Sequence, residues 1–103
     1  MKLAELSEAQ LVSHFRESFP RGERTIIGIG DDCAQVAAPE GSFIVTTDVM
    51  VEDQHFHLSW STGYEVGARV AAQNLADIDA MGGRPSALVA SVVAPRDMDA
   101  DVF

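Results

Sequence analysis

The chain has 103 residues, and 16 acidic against 7 basic side chains give it a formal charge of −9 at pH 7. Nucleic acid and anionic membrane surfaces are therefore not expected as partners, because both are bound through clusters of Lys and Arg. The composition, 47% hydrophobic and 22% charged, is that of an ordinary globular protein, and we expect one domain over residues 1–103.

The first predicted element is a helix that begins after Ser7 and ends before Pro20. Ser7 and Gln10 have the spacing of a capping box, in which each side chain bonds the backbone amide of the other residue. Apolar side chains recur every four residues from Leu11 to Phe19, which is typical of a helix with one buried face. The sequence predicts a helix that packs on the rest of the domain and carries no catalytic group.

Three or four strands are predicted in the rest of the chain. Residues 25–29 form a β-prone run that ends in the glycine-aspartate turn at residues 30–32. Residues 33–37 either continue this strand or pair back on it as a second strand. Residues 43–47 and 87–94 are nearly continuous apolar runs, which indicates strands buried on both faces.

A second, longer helix is predicted from a capping box at Thr62 and Glu65 to about Met81. Gly82 is expected to cap its C-terminal end. Its predicted buried face, at alternating spacings of four and three residues, consists of Tyr64, Ala68, Ala71, Leu75 and Ile78.

The predicted fold class is α+β, a mixed β-sheet with two flanking helices. The carboxylates after Pro95 favour the start of another helix, since they stabilise the positive end of a helix dipole. The chain does not complete this helix, so we expect residues 1–103 to be the front part of a longer protein, truncated at its C-terminal end. An exposed sheet edge is expected where the remaining chain would pair.

Four aspartates lie at the ends of predicted elements or within the second helix. Asp31 and Asp32 follow the first strand, Asp48 ends the strand at residues 43–47, and Asp77 lies in the helix. If the two strands are neighbours, their ends lie about 5 Å apart, within reach of one ion. No lysine is near enough in the sequence to neutralise these carboxylates, so a divalent cation such as Mg²⁺ is the chemical interpretation.

Two threonines next to Asp48 add oxygen atoms to this hypothetical magnesium site. Thr46 and Thr47 offer hydroxyl or carbonyl oxygens, which suit a hard cation. The simpler alternatives stay open: the glycine-aspartate pair is also a common surface turn, and threonines are ordinary strand residues. The polar face that Asp77 shares with Asn74 is as consistent with solvent as with a metal.

Two histidines and one cysteine complete the candidate side chains. His55 and His57 alternate, so an extended segment would place both imidazoles on one side. Contact with a substrate is a better interpretation than zinc, since no cysteine is nearby, and a solvated loop is the simplest one. Cys33 is the single cysteine, which excludes an intrachain disulfide. Without a signal peptide or an apolar span of about 20 residues, we expect a cytoplasmic protein.

Three sequence blocks resemble the thiamine-monophosphate kinase family in their order and spacing. They are GIGDDCA at residues 28–34, TTD at 46–48 followed by VEDQHF at 51–56, and NLADIDAMG at 74–82. No P-loop motif is present, so a protein of this kind needs metal ions to supply the positive charge that binds phosphate. The resemblance covers nearly the whole chain, and family members are several-fold longer.

The resemblance implies the N-terminal domain of the aminoimidazole ribonucleotide synthetase-like fold and a homodimer formed through that domain. It implies transfer of a phosphoryl group from ATP to thiamine monophosphate by direct in-line displacement with Mg²⁺. By the same resemblance, His55 contacts the thiamine phosphate. The metal ligands that the resemblance implies are Asp32, Thr46, Thr47, Asp48 and Asp77. Asp31 is expected to act as a turn residue or to support these ligands.

The chain departs from the family pattern at three positions, with Ala76, Asp79 and Asp53 where the family usually has Ser, Ala and Gly. None of these changes removes a proposed ligand. Asp53 adds a negative charge beside His55, which is expected to favour protonated histidine or to alter how the loop closes. Because much of the site lies beyond Phe103, the chain alone is expected to be inactive.

Two other functions remain open at this point. One is a related ATP-dependent enzyme of the same superfamily that acts on another acceptor. The TTD and VEDQHF blocks favour the kinase over this alternative, since the relatives usually carry other sequences there. The other is a module that forms oligomers without a catalytic role, and the expected exposed strand edges favour it.

Overall fold

Helix α1 spans Glu8–Ser18 in the computed structural model, which describes all 103 residues. The predicted capping box closes its N-terminal end. The Ser7 hydroxyl accepts the Gln10 amide at 3.2 Å, and the Ser7 amide donates to the Gln10 side chain at 2.8 Å. The helix ends ahead of Pro20, so both predicted ends are confirmed. A 3-10 turn, Leu3–Glu5, precedes it.

A two-stranded antiparallel sheet follows, formed by β1, Thr25–Ile27, and β2, Gln35–Val36. Thr25 lies opposite Val36, and the register shifts within the pair. Of the two possibilities for residues 33–37, the structure has the one in which the chain pairs back after the glycine-aspartate turn. Both strands are shorter than predicted, and the sheet is antiparallel where a mixed sheet was expected.

The strands predicted at residues 43–47 and 87–94 are absent. The two segments touch where the Thr47 hydroxyl donates to the carbonyl of Val89 at 3.4 Å, but they form no backbone ladder. Their apolar side chains stay exposed, Val93 to 94%. A run of apolar residues indicates a tendency to be buried, but a strand also needs a backbone partner. These two segments have no such partner within the 103 residues.

Helix α2 spans Gly63–Ala80 and begins at the predicted capping box. The Thr62 hydroxyl accepts the Glu65 amide at 3.2 Å, and the Thr62 amide donates to the Glu65 carboxylate at 2.7 Å. Each of these bonds satisfies a backbone N–H that has no partner inside the helix. The predicted start of the helix is confirmed.

The C-terminal end of α2 is closed by two glycines. Gly82 has a φ of 74°, in the left-handed region that side chains with a Cβ rarely adopt. Its amide donates to Asp79, and the amide of Gly83 donates to the carbonyl of Ile78, both at 2.9 Å. This pair of bonds is the Schellman motif, so the predicted glycine cap is confirmed.

The face of α2 that packs on the protein overlaps the predicted one only in part, at Ala71 and Ile78. Tyr64 is 87% exposed and Leu75 41% exposed. The less exposed residues lie along a line centred one position earlier, and they are Gly63, Val66, Val70, Ala71, Gln73, Asn74 and Ile78. Because α2 carries alanine and valine on several sides, the spacing of apolar residues did not distinguish between two neighbouring faces.

The acidic segment near the C-terminal end forms turns instead of the start of a helix. It is occupied by the N-terminus, where Lys2 bonds Asp99 at 2.7 Å and the Leu3 amide donates to the carbonyl of Met98 at 2.9 Å. The hydrogen bond between the side chains raises the pKa of Lys2 and lowers the pKa of Asp99. The two ends of the chain are thereby held together.

The chain exposes more surface than a folded domain of its mass. Its accessible surface is 8161 Å², whereas a monomer of this mass is expected to expose about 5,700 Å². No apolar side chain is fully buried. The structure therefore confirms an α+β unit with two helices and a small sheet, but without a closed hydrophobic core. Neither helix has the length and apolar character needed to cross a membrane.

Candidate functional site

The segment that holds both candidate histidines, His55 and His57, is a tight loop, here called the histidine loop (residues 51–57). The amide of His55 donates to the carbonyl of Val51 at 2.9 Å, and the amide of Asp53 donates to the carbonyl of Phe56 at 2.7 Å. Asp53 has a φ of 65°, in the left-handed region. The segment is therefore turned back on itself, and the extended conformation predicted from the alternating histidines is wrong.

His55 is held in one tautomer by its own loop. Its Nδ1 atom accepts the Val51 amide at 2.9 Å. An imidazole nitrogen that accepts carries no proton, so in the neutral ring the proton lies on Nε2. The His55 side chain is exposed, which leaves the Nε2–H as a donor toward solvent or a bound anion. The arrangement suits a contact to a phosphate oxygen.

His57 makes different contacts from His55. Its Nδ1 atom lies 3.0 Å from the Asp53 carboxylate, and the centre of its ring lies 3.9 Å from the ring of Trp60. The carboxylate that was expected to act on His55 therefore pairs with His57. Asp53 and His57 are four residues apart in a loop that turns back on itself, and spacing along the sequence alone did not show which histidine the carboxylate would meet.

Arg69 joins the histidine loop to α2. Its guanidinium donates to the carbonyl of His55 at 2.8 Å. It is the single basic residue of Gly63–Ala80, and this was the signal that sequence reasoning overlooked. The bond fixes the distance between His55 and the helix that carries Asp77.

The two carboxylates of the glycine-aspartate turn, those of Asp31 and Asp32, make different contacts. The side chain of Asp31 accepts the Asp32 amide at 2.9 Å, which makes Asp31 the residue that shapes the turn. Gly30 precedes it with a φ of 119°, and the guanidinium of Arg16 lies so close that a Cβ at Gly30 would be 3.2 Å from it. Asp32 is exposed and makes no ion pair, so its carboxylate is free to bind an ion.

The remaining predicted ligands lie at or near the surface and do not form one cluster with Asp32. Thr46 is half-buried, and Asp48 and Asp77 are exposed. Thr47 uses its hydroxyl as a donor to Val89. No three His, Cys, Asp or Glu side chains are close enough together to hold a metal ion. The predicted meeting of Asp32 with Asp48 depended on neighbouring strands, and the second of these strands is not formed.

The donor chemistry of these residues nevertheless fits a hard cation. Asp32, Asp48 and Asp77 are carboxylates without a basic partner, since the ion pairs of the chain involve other acidic residues. Unpaired carboxylate oxygens are the ligands that Mg²⁺ prefers. The residues present therefore suit magnesium by type, and bringing them together requires the chain between them to move.

Asn74 is the most buried residue of the chain and was overlooked as a feature of its own. It is 3% exposed, its amide nitrogen donates to the carbonyl of Val70 at 2.9 Å, and its Oδ1 atom has no partner. A buried acceptor without a donor costs about 1–3 kcal/mol. It lies one helical turn before Asp77, on the packed face of α2.

The sequence of the chain matches a known class of proteins. The family model described as AIR synthase related protein, N-terminal domain, matches residues 30–103. This match extends over more than half of the chain, and the chain is a member of that family. All the predicted site residues, from Asp32 to Asp77, lie within the matched range.

Within this class, the chain is similar to thiamine-monophosphate kinases. It is 40% identical over 98 residues to that of Mycobacterium tuberculosis strain H37Rv, which is 95% of this chain and 29% of the relative. It is 46% identical over 68 residues to that of Corynebacterium glutamicum, 64% of this chain and 20% of the relative. The Bacillus subtilis kinase is 44% identical over 70 residues, 67% of this chain and 22% of the relative.

The chain thus spans less than a third of the curated relatives that it matches. No solved structure matches it. The resemblance read from the three sequence blocks is confirmed at the level of the family.

Proposed function

We propose that the chain is the N-terminal portion of a thiamine-monophosphate kinase, an enzyme that converts thiamine monophosphate to thiamine diphosphate with ATP. The observation that carries this proposal is the 40% identity over 95% of the chain to a protein with that name. The histidine loop supports it, because His55 presents an Nε2–H donor that suits a phosphate group.

In the proposed reaction, the protein holds the phosphate of thiamine monophosphate in line with the terminal phosphate of ATP. The phosphoryl group passes directly between them, without a covalent intermediate on the protein. His55 donates its Nε2–H to the phosphate of thiamine monophosphate. Arg69 fixes the carbonyl of His55 and so keeps the donor at a constant distance from α2. Magnesium, when bound, neutralises charge on the phosphates of ATP. Its proposed ligands are Asp32, Thr46, Thr47, Asp48 and Asp77.

The exposed apolar segments support two further parts of the proposal. Residues 43–47 and 87–94 have the composition of buried strands, yet they are exposed here. We propose that they pair in a homodimer formed through this domain, in a cytoplasmic enzyme. Since the chain spans less than a third of its relatives, the remaining contacts to ATP lie elsewhere, and the chain alone is expected to be inactive.

The direct test uses the complete protein that contains this chain, incubated with ATP, Mg²⁺ and thiamine monophosphate. Thiamine diphosphate is separated by chromatography and measured as its fluorescent thiochrome derivative. We expect product that depends on both ATP and Mg²⁺, with omission of each as the control. Lack of thiamine diphosphate together with ATP consumption on another acceptor, such as selenide, would refute the proposal.

A related ATP-dependent enzyme with a different acceptor is the second candidate, because the matching family model is described as AIR synthase related and names no thiamine-monophosphate kinase. The acceptor experiment separates it from the kinase. A module without catalysis is the third, and the exposed apolar segments favour it. Sedimentation of the chain with and without Mg²⁺ and ATP tests it, since a strictly monomeric chain contradicts both the module and the proposed dimer.

A further inference from the structure

Trp60 is a large aromatic side chain left open to solvent beside the histidine loop. It is the single tryptophan of the chain, and 79% of it is exposed. Tryptophan normally buries much of its surface, because its ring system gains more from leaving water than most side chains do. The indole is therefore accessible to a molecule bound beside the histidine loop.

The backbone fixes Trp60 relative to the histidine loop. Its amide donates to the carbonyl of His57 at 3.0 Å, and the amide of Ser61 donates to the same carbonyl at 3.1 Å. Thr62, the N-terminal cap of α2, follows immediately. Trp60 thus lies on a turn held between the loop and the helix, at a set position.

Side chains support the indole on one side and add negative charge. The His57 ring lies 3.9 Å from the ring of Trp60, tilted by 53°. The same histidine bonds the Asp53 carboxylate, whose side chain is 75% exposed. The result is an aromatic surface with a carboxylate close to it, on a chain of charge −9. Both features attract an organic cation, the ring through its electron-rich face and the carboxylate through its charge.

We infer that Trp60, together with His57 and Asp53, binds the cationic ring system of thiamine monophosphate. This inference rests on the proposed function and adds the part of the site that selects the substrate. Thiamine monophosphate carries a positive thiazolium at one end and a phosphate at the other. The histidine loop offers matching groups, with the Nε2–H of His55 for the phosphate and the indole and carboxylate for the ring.

The test compares Trp60→Leu and Trp60→Phe with the unchanged complete protein. Tyr64→Leu is the matched control, since Tyr64 is another exposed aromatic residue, four positions further on. We expect Trp60→Leu to raise the KM for thiamine monophosphate about tenfold and to leave the KM for ATP unchanged. Trp60→Phe keeps an aromatic face and should raise it only a few-fold. Circular dichroism verifies that each variant folds.

A substrate analogue separates charge from shape. Deazathiamine monophosphate has a neutral thiophene in place of the thiazolium and almost the same outline. The unchanged protein should prefer the charged substrate, and Trp60→Leu should lose most of that preference. An unchanged KM in Trp60→Leu, an equal rise in KM for both substrates, or a preserved preference would each overturn the inference. A protein that makes no thiamine diphosphate at all refutes the proposed function and this inference with it.

Discussion

At the scale of single residues, His55 has two separable tasks in the structure. Its Nδ1 atom accepts the Val51 amide and so holds the histidine loop, while its Nε2–H faces outward. An asparagine at this position can place its oxygen near the Nδ1 site, and a glutamine can place its amide nitrogen near the Nε2 site. The two substitutions therefore separate loop structure from phosphate binding.

We predict opposite effects for these two variants in the complete protein. His55→Asn should keep the loop but raise the KM for thiamine monophosphate by about 10- to 100-fold, the cost of one hydrogen bond to a charged group. His55→Gln should retain more of the phosphate contact and lower the midpoint of thermal unfolding. Steady-state kinetics and calorimetry measure the two effects. Equal losses of binding in both variants would contradict the assigned tautomer.

The proposed magnesium ligands allow a second prediction at this scale. Asp77 is exposed and without an ionic partner, so Asp77→Asn removes a repulsive charge and should leave the thermal midpoint unchanged or slightly higher. In the complete protein it should raise the Mg²⁺ concentration needed for half-maximal activity by at least tenfold. The comparison variant is Asp79→Asn, two residues on and outside the proposed ligand set. Parallel losses of stability and activity in Asp77→Asn would count against a metal role.

The residues of the site were predictable by type but not by arrangement. Carboxylates beside threonines indicate a magnesium site because Mg²⁺ prefers oxygen ligands, and the sequence shows directly which residues carry them. The tautomer of His55 and the Arg69 bond to the carbonyl of His55 depend on how the loop turns, and that turn comes from the left-handed backbone at Asp53. The family usually has Gly where Asp53 stands, and Gly adopts a left-handed backbone readily, so this departure was a sign of the turn that the prediction of an extended segment did not use.

At the scale of secondary structure, the helix ends were predicted correctly because their signals are local. Each capping box involves residues three positions apart, and the glycine cap of α2 involves neighbours of Gly82. The strands predicted at residues 43–47 and 87–94 are absent, and the predicted face of α2 is right only at Ala71 and Ile78. These features depend on what lies against them, and an apolar pattern does not identify the neighbour.

Two glycines, Gly82 at the C-terminal cap of α2 and Gly67 inside the helix, give predictions of opposite sign. Gly82→Ala forces a Cβ into a left-handed backbone and should destabilise the folded protein by about 1 kcal/mol. Gly67→Ala lies inside the helix, where nothing is within 4 Å of the new Cβ, and should stabilise it by about 1 kcal/mol. Denaturant unfolding of the complete protein measures both. Stabilisation by Gly82→Ala would show that the Schellman motif is absent in solution.

At the scale of the whole molecule, the chain has two helices and a small sheet but no closed hydrophobic core. Its radius of gyration is 15.2 Å, whereas a compact domain of this length is expected to have about 13 Å. The apolar segments that would close the core are present in sequence but exposed. The α+β class was predictable because helix and strand tendencies are local, whereas the extent of the sheet was not, because a strand forms only where a backbone partner lies beside it.

Hydrogen exchange tests whether a partner completes the sheet. In the chain expressed alone, backbone amides of residues 43–47 and 87–94 should exchange without protection, since no ladder bonds them. In the complete protein, we expect the same amides to be protected at least 100-fold, while those of α2, Gly63–Ala80, which already have helical bonds, change much less. Mass spectrometry of peptides from both samples gives the comparison, with α2 as the internal control. If both segments stay unprotected in the complete protein, they are not strands of the finished fold, and the dimer proposed from their exposure loses its basis.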